Sequence, residues 1–215
     1  MTTQEKGDLF EQVKKSYTFL HILRSFELDK KAVLDVGCSE GHYLQCFGPG
    51  SVGVTIIEDH VNDAKNRGLE VVLKNVENPN FSMDKKFDVV WANNFFEHMN
   101  APHPFLAKMR EVIKEDGTLI LGVPVIPHIS FMTRFRKFRG AYAVSHVNFF
   151  NRKTLIETVK ACGWDVKEAR SFYFQNTFGD FLLNLIAPHI YIVAKPVKDF
   201  KYHRKRLLSL DGYDK

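Results

Sequence analysis

A strand that ends in a glycine-punctuated turn constrains the fold of this chain more than any other feature. The apolar residues of Ala32–Val36 predict a buried strand, and Gly37 and Gly41 punctuate the turn that follows. A helix is expected over Glu40–Phe47. This order presents backbone N–H groups to a polar or anionic ligand at a helix N-terminus. Similar glycines also occur in turns that only pack, so the motif alone leaves both interpretations open.

Strand and helix patterns alternate through most of the chain. A helical pattern covers Asp8–Glu27, and short apolar runs then alternate with amphipathic segments. The predicted strands are Ala32–Val36, Val52–Ile56, Val71–Lys74, Asp88–Ala92 and Thr118–Val123, and further helices are predicted over Asp59–Arg67 and Pro102–Lys114. Because parallel strands need crossover connections, this order predicts right-handed β-α-β units and a parallel sheet covered by helices on both faces.

The pattern changes after the last of these strands. Residues 124–145 show no clean period and mix aromatic with basic side chains, which favours a loop that covers a substrate at the carboxyl ends of strands. A short amphipathic helix that only packs on the sheet is the alternative. A helix is then predicted over Lys153–Ala161, ended by Gly163. Trp164–Phe174 and His189–Ala194 predict a closing pair of strands.

The composition is that of an ordinary globular domain. The 215 residues are 45% hydrophobic and 26% charged, which suits one α/β domain with a substantial core. No apolar run reaches the roughly 20 residues that a membrane-spanning helix needs, and the polar start does not resemble a secretory signal. Three cysteines without CxxC spacing predict neither a disulfide framework nor a zinc site. We therefore expect a cytoplasmic protein without a metal.

The net charge of +5 is unevenly distributed. One basic cluster lies within residues 131–140, and a second occupies the C-terminal tail. Their members are Arg134, Arg136, Lys137 and Arg139, and then Lys195, Lys198, Lys201, Arg204, Lys205 and Arg206. Basic runs with aromatic residues occur where proteins contact nucleic acids or anionic lipids, and also on faces that are merely solvated. The pattern leaves a nucleic-acid partner open without requiring one.

Several segments together resemble the class I S-adenosylmethionine (SAM)-dependent methyltransferases. Asp35-x-Gly37-x-x-x-Gly41 resembles motif I of that family and lacks the full G-x-G-x-x-G of dinucleotide-binding enzymes. The other similar segments are Ser51–Ala64 (second strand and helix), Phe87–His98 (fourth strand with a Glu-His pair), Arg110–Pro124 (fifth strand) and His146–Leu155 (a late helix of small-molecule members). The resemblance extends from about Ala32 to Pro196.

The resemblance implies a Rossmann-like α/β fold: a mostly parallel seven-stranded sheet with helices on both faces and a reversed last strand. It also implies a single methyltransferase domain over residues 1–215, with SAM as the cofactor. Within this domain we expect an N-terminal helical segment (1–30), a SAM-binding core (32–123), a substrate lid (124–150), a last helix and strand pair (151–196) and a basic tail (197–215).

The residues that match motif I are assigned by the resemblance to the methionine end of SAM. Backbone groups between Gly37 and Gly41 would bind that end, and Asp35 would orient the loop and the amino group. Ser39 departs from the family, in which glycine is common at this position. We expect Ser39 to be tolerated if its φ angle is negative.

The ribose end of the site shows a larger departure. The family usually has an acidic residue at the end of the second strand, whereas Thr55 stands there in this sequence and is followed by Ile56 and, two positions further, Glu58. A threonine hydroxyl cannot replace the paired acceptors of a carboxylate. Either this segment still supplies the ribose contact through Thr55 or Glu58, or SAM is bound with fewer contacts.

The remaining assigned residues follow later strands. Asn75 stands where an Asp often accepts from the adenine amino group, and Val76 would offer its backbone N–H to the ring. Asn93, at the end of the fourth strand, is also assigned to the cofactor site. His98 and His146 fall in segments that flank the active site in the family. Because histidine is the commonest general base near neutral pH, we predict both as catalytic residues.

Three functions remain open from the sequence alone. The first is methyl transfer to a hydroxyl or amine of a small polar metabolite, such as a sugar or glycan precursor, and the Glu97-His98 pair favours it. The second is methylation of RNA or DNA, which the basic clusters favour, although Asn93–Phe96 lacks the prolines of amino-methylating nucleic-acid enzymes. The third is a catalytically silent SAM-fold subunit, suggested by the departures at Ser39, Thr55 and Asn75.

Overall fold

The computed structural model describes residues 3–174, 179 and 185–202. The strands in this part of the chain are β1 (Val33–Val36), β2 (Val52–Thr55), β3 (Val71–Leu73), β4 (Phe87–Asn93), β5 (Ile113–Ile126), β6 (Phe150–Asn151), β7 (Trp164–Arg170) and β8 (His189–Pro196). Seven of them form a sheet in the order β3-β2-β1-β4-β5-β8-β7, and β6 pairs beside the end of β5. The first five strands, β1 to β5, run parallel to one another, whereas β8 is antiparallel to both of its neighbours, β5 and β7. The predicted Rossmann-like sheet with a reversed last strand is confirmed.

Helices cover both faces of this sheet. Those in the described residues are α1 (Thr3–Lys15), α2 (Tyr17–Ser25), α3 (Glu58–Asn66), α4 (Pro102–Val112) and α5 (Arg152–Lys160). Alternate strand residues point to opposite faces. Leu34 and Val90 belong to a buried cluster with α4 and α5, whereas Val33 and Trp91 belong to a second cluster with Phe19 of α2.

The strand directions concentrate loops at one edge of the sheet. The carboxyl ends of the parallel strands β1, β2 and β4 lie together there, as ligand sites in open α/β sheets require. Because β8 is reversed, it begins at this same edge, where His189 pairs with Pro124 of β5. A residue from late in the chain is thereby placed beside the loops that follow the early strands.

The helix predicted over Asp8–Glu27 is in fact two helices. Ser16 separates them, and its Oγ accepts a hydrogen bond from the Phe19 N–H (3.4 Å), which caps α2. Serine is preferred at a helix start over a helix interior because its hydroxyl satisfies an otherwise unpaired N–H.

The prediction of a helix over Glu40–Phe47 is wrong. This segment forms turns and one short 3-10 helix over Leu44–Cys46. Ser39 and Gly41 have φ angles of +50° and +89°, and a right-handed helix cannot pass through that conformation. The glycine turn therefore leads into a compact loop rather than the N-terminus of an α-helix.

Two further boundaries differ from prediction. The helix over Pro102–Lys114 ends at Val112, because Ile113 already pairs with Phe87 in the sheet. Strand β7 stops before its predicted end, since Phe172 has a φ of +55°, outside the extended region.

The segment predicted as an irregular lid is partly ordered. Strand β5 continues to Ile126, and short 3-10 helices follow over Ser130–Arg134, Arg136–Phe138 and Gly140–Tyr142. Much of the predicted basic tail, from residue 203 onward, lies outside the described residues. A search of the described helices finds none with the length and apolar character needed to cross a membrane.

Candidate active site

A cavity of about 360 Å³ opens at the carboxyl ends of β1, β2 and β3. Four short segments line it together with His60 of α3: the glycine turn after β1, the end of β2, the loop after β3 and the turn after β4. The lining residues with a predicted role are Gly37, Ser39, Thr55, Ile56, Asn75, Val76 and His98. The structure thus brings most of the predicted cofactor residues to one place.

Gly37 adopts a conformation and a packing that require glycine. Its φ is +72°, and a Cβ atom there would collide with the Phe95 ring. The N–H groups of Gly37 and Cys38 both donate to Val54 O, at 3.0 and 3.2 Å. These two N–H groups hold the turn on β2, so contacts to a ligand must come from other groups of the turn.

Ser39 does not have the negative φ that the sequence-based argument required. Its φ of +50° lies in the left-handed region, which costs an L-amino acid roughly 1–2 kcal/mol. Glycine is the residue that this geometry favours, which gives a physical reason for the family's usual choice. Serine is accommodated here with backbone strain.

Asp35 is a buried carboxylate with an unsatisfied acceptor. The residue is 2% exposed, and its Oδ2 has no hydrogen-bond partner among the described residues. Burial raises the pKa of Asp35 to about 8, against which a hydrogen bond from the Leu44 backbone acts only in part. A cationic amino group nearby would satisfy such an acceptor, so Asp35 fits the role of orienting the amino group of SAM.

The end of β2 shows which side chain can reach a ribose. Thr55 is buried in the cavity wall, where its Oγ1 accepts a hydrogen bond from the Ile57 N–H (3.3 Å), leaving the hydroxyl hydrogen to donate. Ile56 also lines the cavity and is 70% exposed. Glu58 is exposed at the start of α3 and is not among the lining residues.

A buried acidic side chain in the glycine turn could not be predicted from the sequence. Glu40 is 5% exposed, and its carboxylate lies 3.1 Å from His42 Nε2 and 3.6 Å from His60 Nε2. His60, on α3, also lines the cavity. The contact joins the loop after β1 to α3 beside the cavity, and no spacing in the sequence indicates it.

Asn75 and Val76 form the far wall of the cavity. The Asn75 Oδ1 accepts a hydrogen bond from the Glu77 N–H (2.9 Å), so one of its lone pairs already stabilises the local turn. Glu77 in turn accepts from Asn100 and from the Ala101 N–H, at 3.0 and 2.9 Å. These bonds join the loop after β3 to the turn after β4.

A second cavity, of about 550 Å³, lies on the other side of the turn after β4. Asn94 lines this cavity and its neighbour Phe95 lines the first, so both cavities border this turn. The second cavity is lined by Thr18, Tyr43, Asn93, Asn94, Phe138, Ser171, Tyr173, Ile186, Ala187, Pro188, His189 and Tyr191. Asn93, assigned from sequence to the cofactor, belongs to this wall.

Polar side chains in the second cavity are connected by hydrogen bonds. Asn93 Nδ2 donates to Tyr43 Oη (2.9 Å), and the His189 Nε2 lies 3.0 Å from Asn94 Oδ1. Burial lowers the pKa of His189 to about 4, so its ring is neutral at physiological pH. Sequence analysis gave His189 no role, because nothing in the sequence shows that the last strand is placed beside β5 with its first residue at this edge.

The two histidines predicted as catalytic lie together beside Glu97. Their rings are 4.7 Å apart, edge to face, and each Nε2 is 3.8 Å from Glu97 Oε1. His98 also lines the first cavity, and neither His98 nor His146 is among the residues that line the second. The burial of Glu97 was not foreseen, since a Glu-His pair in a sequence carries no sign of which side chain is inside.

The predicted lid contributes one side chain to the second cavity, that of Phe138. Arg134 is exposed, and its guanidinium lies 5.3 Å from the centre of the Phe131 ring. Arg136 is exposed as well, and neither arginine is among the cavity's lining residues. The segment therefore supplies an apolar wall.

Comparison with known proteins decides the family. A family model described as a methyltransferase domain matches residues 8–169. The chain belongs to this methyltransferase family. It is a SAM-dependent enzyme, and its cofactor is SAM. When bound, SAM would supply an electrophilic methyl group on a sulfonium, and Asp35, Thr55 and the glycine turn are the residues that we expect to hold it.

Solved structures with the same fold agree with this assignment. A methyltransferase of Haloferax volcanii, solved in complex with the Trm112 methyltransferase activator, is 15% identical with a TM-score of 0.66, over 90% of this chain and 95% of that chain. A SAM-dependent methyltransferase of Clostridium acetobutylicum is 10% identical with a TM-score of 0.63, over 90% and 98%. One from Archaeoglobus fulgidus is 20% identical with a TM-score of 0.60, over 86% and 96%. No curated protein sequence matches the methyltransferase.

A pair of variants tests the ribose end of the cofactor site. Thr55→Val keeps the shape of the side chain and removes the hydroxyl, so we expect SAM affinity to fall by about two- to tenfold, the value of one hydrogen bond. Glu58→Ala is the matched control and should leave affinity unchanged, because Glu58 does not line the cavity. Isothermal titration measures both, and a larger loss for Glu58→Ala would assign the ribose contact to that side chain.

Proposed function

We propose that the methyltransferase modifies a hydroxyl or amine of a small, uncharged polar metabolite, with sugars and glycan precursors as the first candidates. The observation that carries this proposal is the chemistry of the second cavity. Its described lining contains no Lys, Arg, Asp or Glu, and its polar groups are hydroxyls, side-chain amides and one neutral imidazole.

The residues that line the second cavity favour a neutral acceptor over a charged one. A buried phosphate or carboxylate needs cationic or convergent N–H donors to replace its water, and the described walls offer no cationic side chain. Tyr43, Tyr173 and Phe138 add aromatic surface against which a ring can pack. A polyhydroxylated ring matches both properties, and a volume of about 550 Å³ is within the usual range for small-ligand pockets.

His189 is placed to assist the proton loss that accompanies methyl transfer to a hydroxyl. Its Nε2–H donates to Asn94 Oδ1, which leaves the Nδ1 lone pair to accept a proton or hydrogen bond. Histidine in this neutral form is a general-base candidate within the acceptor cavity. A catalytic role for His98 and His146 stays a prediction: neither side chain lines the second cavity, and each Nε2 lies 3.8 Å from Glu97 Oε1.

A nucleic-acid acceptor has less support from the described residues. The exposed arginines at 134 and 136 lie outside the cavity lining, and a base would have to stack on aromatic lining residues such as Phe138 and Tyr173. We propose a cytoplasmic location, supported by Cys38, Cys46 and Cys162, which form no disulfide bonds within the described part of the chain and so suit a reducing compartment.

Incubation with methyl-labelled SAM tests the acceptor class. We expect label to enter neutral sugars or other neutral hydroxylated metabolites from a cell extract, with little effect when salt is raised from 50 to about 500 mM. An RNA substrate would instead lose affinity steeply over that range. Exclusive labelling of RNA, DNA or phosphorylated metabolites would contradict the proposal.

A further inference from the structure

Glu97, His98 and His146 form a cluster of ligating side chains outside the lining of the second cavity. One nitrogen from each imidazole and one carboxylate oxygen all lie within 4.8 Å of one another. Each histidine Nε2 is 3.8 Å from Glu97 Oε1, which is too long for a hydrogen bond. The three side chains therefore surround a common point rather than bond to one another.

Glu97 is the unusual member of this cluster. It is 1% exposed, and neither of its carboxylate oxygens has a hydrogen-bond partner among the described residues. Burial of an unpaired carboxylate is unfavourable unless it is neutralised, paired or coordinated to a metal. Glu97 thus supplies a buried, unpartnered oxygen that faces two imidazoles.

The two histidines are held in the form that binds metal ions. His98 Nδ1 lies 3.0 Å from Ser145 O, and His146 Nδ1 lies 3.2 Å from Ala141 O. A carbonyl oxygen can only accept, so each Nδ1 carries the hydrogen, and each Nε2 keeps its lone pair when the ring is neutral. Backbone carbonyls orient metal-bound histidines in the same way in known metal sites.

The backbone holds the two halves of the cluster together independently of the side chains. Glu97 O accepts hydrogen bonds from the Val147 and Asn148 N–H groups, at 3.1 and 3.0 Å. Asn148 Nδ2 also donates to Met99 O (2.6 Å). His146 is therefore fixed beside the turn after β4 without any ion, which preorganises the cluster.

We propose that Glu97, His98 and His146 bind one divalent transition-metal ion of the zinc type. Two imidazole nitrogens and one carboxylate oxygen are a known zinc ligand set, whereas Mg²⁺ and Ca²⁺ prefer oxygen ligands alone. Ligand distances of about 2.0–2.2 Å place two donors of a tetrahedral site about 3.3–3.6 Å apart. Each histidine Nε2 must therefore approach Glu97 Oε1 by about 0.2–0.5 Å, and no pair of donors must close by more than about 1.5 Å. The ion fastens residues 141–148 to the turn after β4, and the remaining coordination position is open to water or another small ligand.

Metal titration of the chelator-treated full chain tests the site. Zn²⁺ and Co²⁺ should each bind with one equivalent, and bound Co²⁺ should show visible absorption bands of a tetrahedral or five-coordinate complex. Zn²⁺ should also raise the unfolding temperature, because it binds the folded state only. Hydrogen exchange of the amides in residues 141–148 should slow when the ion is present.

Variants identify the ligands. Loss of even an outer-shell partner lowers metal affinity by about 10–100-fold, so Glu97→Gln, His98→Gln and His146→Gln should each lower it by about 100-fold or more. His128→Gln is the matched control, since His128 is an exposed histidine outside the cluster and should leave affinity unchanged. Circular dichroism verifies that each variant folds. His98 is the most exposed of the three side chains, so His98→Gln still tests the site if Glu97→Gln or His146→Gln does not fold.

The result that would overturn the proposal is absence of saturable Zn²⁺ and Co²⁺ binding, or equal binding by the wild type and the folded cluster variants. SAM affinity measured on the same chelator-treated protein separates this outcome from a failure of the proposed function. SAM binding without metal binding removes the metal site alone, whereas metal binding with no neutral acceptor removes only the acceptor proposal.

Discussion

Replacing Asp35 with Asn is expected to weaken SAM binding by about 10–150-fold. The buried Asp35 carboxylate has an unpartnered oxygen, and loss of a hydrogen bond to a charged group is worth roughly 1.5–3 kcal/mol. Isothermal titration with SAM measures the change. Asp59→Asn, which removes an exposed carboxylate in the first turn of α3, is the control and should bind as the wild type does.

The same variant should change the proton balance of binding. Because the pKa of Asp35 is raised to about 8 in the folded protein, its carboxyl is mostly protonated at pH 7 before SAM binds. An incoming cationic amino group favours the ionised form, so binding should release close to one proton in the wild type and none in Asp35→Asn. Titrations in buffers of different ionisation enthalpy count that proton, and equal proton release by both proteins would remove Asp35 from the cofactor site.

Stability should respond to pH with a definite sign. The folded pKa of Asp35 lies above its unfolded value of 3.8, so the folded state holds more protons between about pH 4 and 8. The stability contributed by Asp35 is fully present below pH 4 and is lost as pH rises towards 8. In Asp35→Asn this slope should be absent, and thermal unfolding of the SAM-free proteins at pH 6 and pH 8.5 compares them.

Replacing His189 with Gln is expected to lower kcat for a hydroxyl acceptor by about 100-fold or more, the usual contribution of a general base. Glutamine can still hydrogen-bond to Asn94, so the cavity wall is kept while the basic nitrogen is lost. SAM affinity should stay constant, because His189 does not line the first cavity. Single-turnover methylation of an acceptor found in the labelling experiment measures the rate.

His128→Gln serves as the control for an exposed histidine and should keep the wild-type rate. A kcat for His189→Gln within twofold of wild type would place the proton acceptor elsewhere, with His98 the first alternative. The folded pKa of His189 is lowered, so the stability that it contributes is present above pH 6.5 and falls as pH drops towards 4. The Gln variant should lose less stability between pH 7 and pH 5 than the wild type.

The sheet could be predicted from sequence because its strands are short apolar runs with a clear burial pattern. All residues of β1 and of β2 are buried, as continuous hydrophobic runs in a parallel sheet should be. The errors fall where a local conformation overrides periodicity. Positive φ angles at Ser39 and Gly41 prevent a helix that the side-chain pattern alone would allow. Ser16 caps the start of α2 and so divides the helix predicted over Asp8–Glu27 into two.

The candidate site could be predicted in part, for a similar reason. Motif I and the end of β2 are contiguous segments, so Gly37 and Thr55 could be assigned from spacing. Glu40 and Glu97 could not, because their burial depends on partners that are distant in the chain, such as His60 and His146. His189 was missed because strand order, rather than sequence order, places it beside Asn94.

The reversed strand β8 also sets an order of events during synthesis. Described residues that line the first cavity lie between Val36 and Asn100, whereas the lining of the second cavity includes Ile186, Ala187, Pro188, His189 and Tyr191. In a chain made from its N-terminus, all described wall segments of the first cavity leave the ribosome long before β8 can enter between β5 and β7. The second cavity is therefore completed last, by long-range pairings that are slow to form. On the proposed assignment of the two cavities, a nascent chain acquires the parts for its methyl donor before it has a place for the molecule to be methylated.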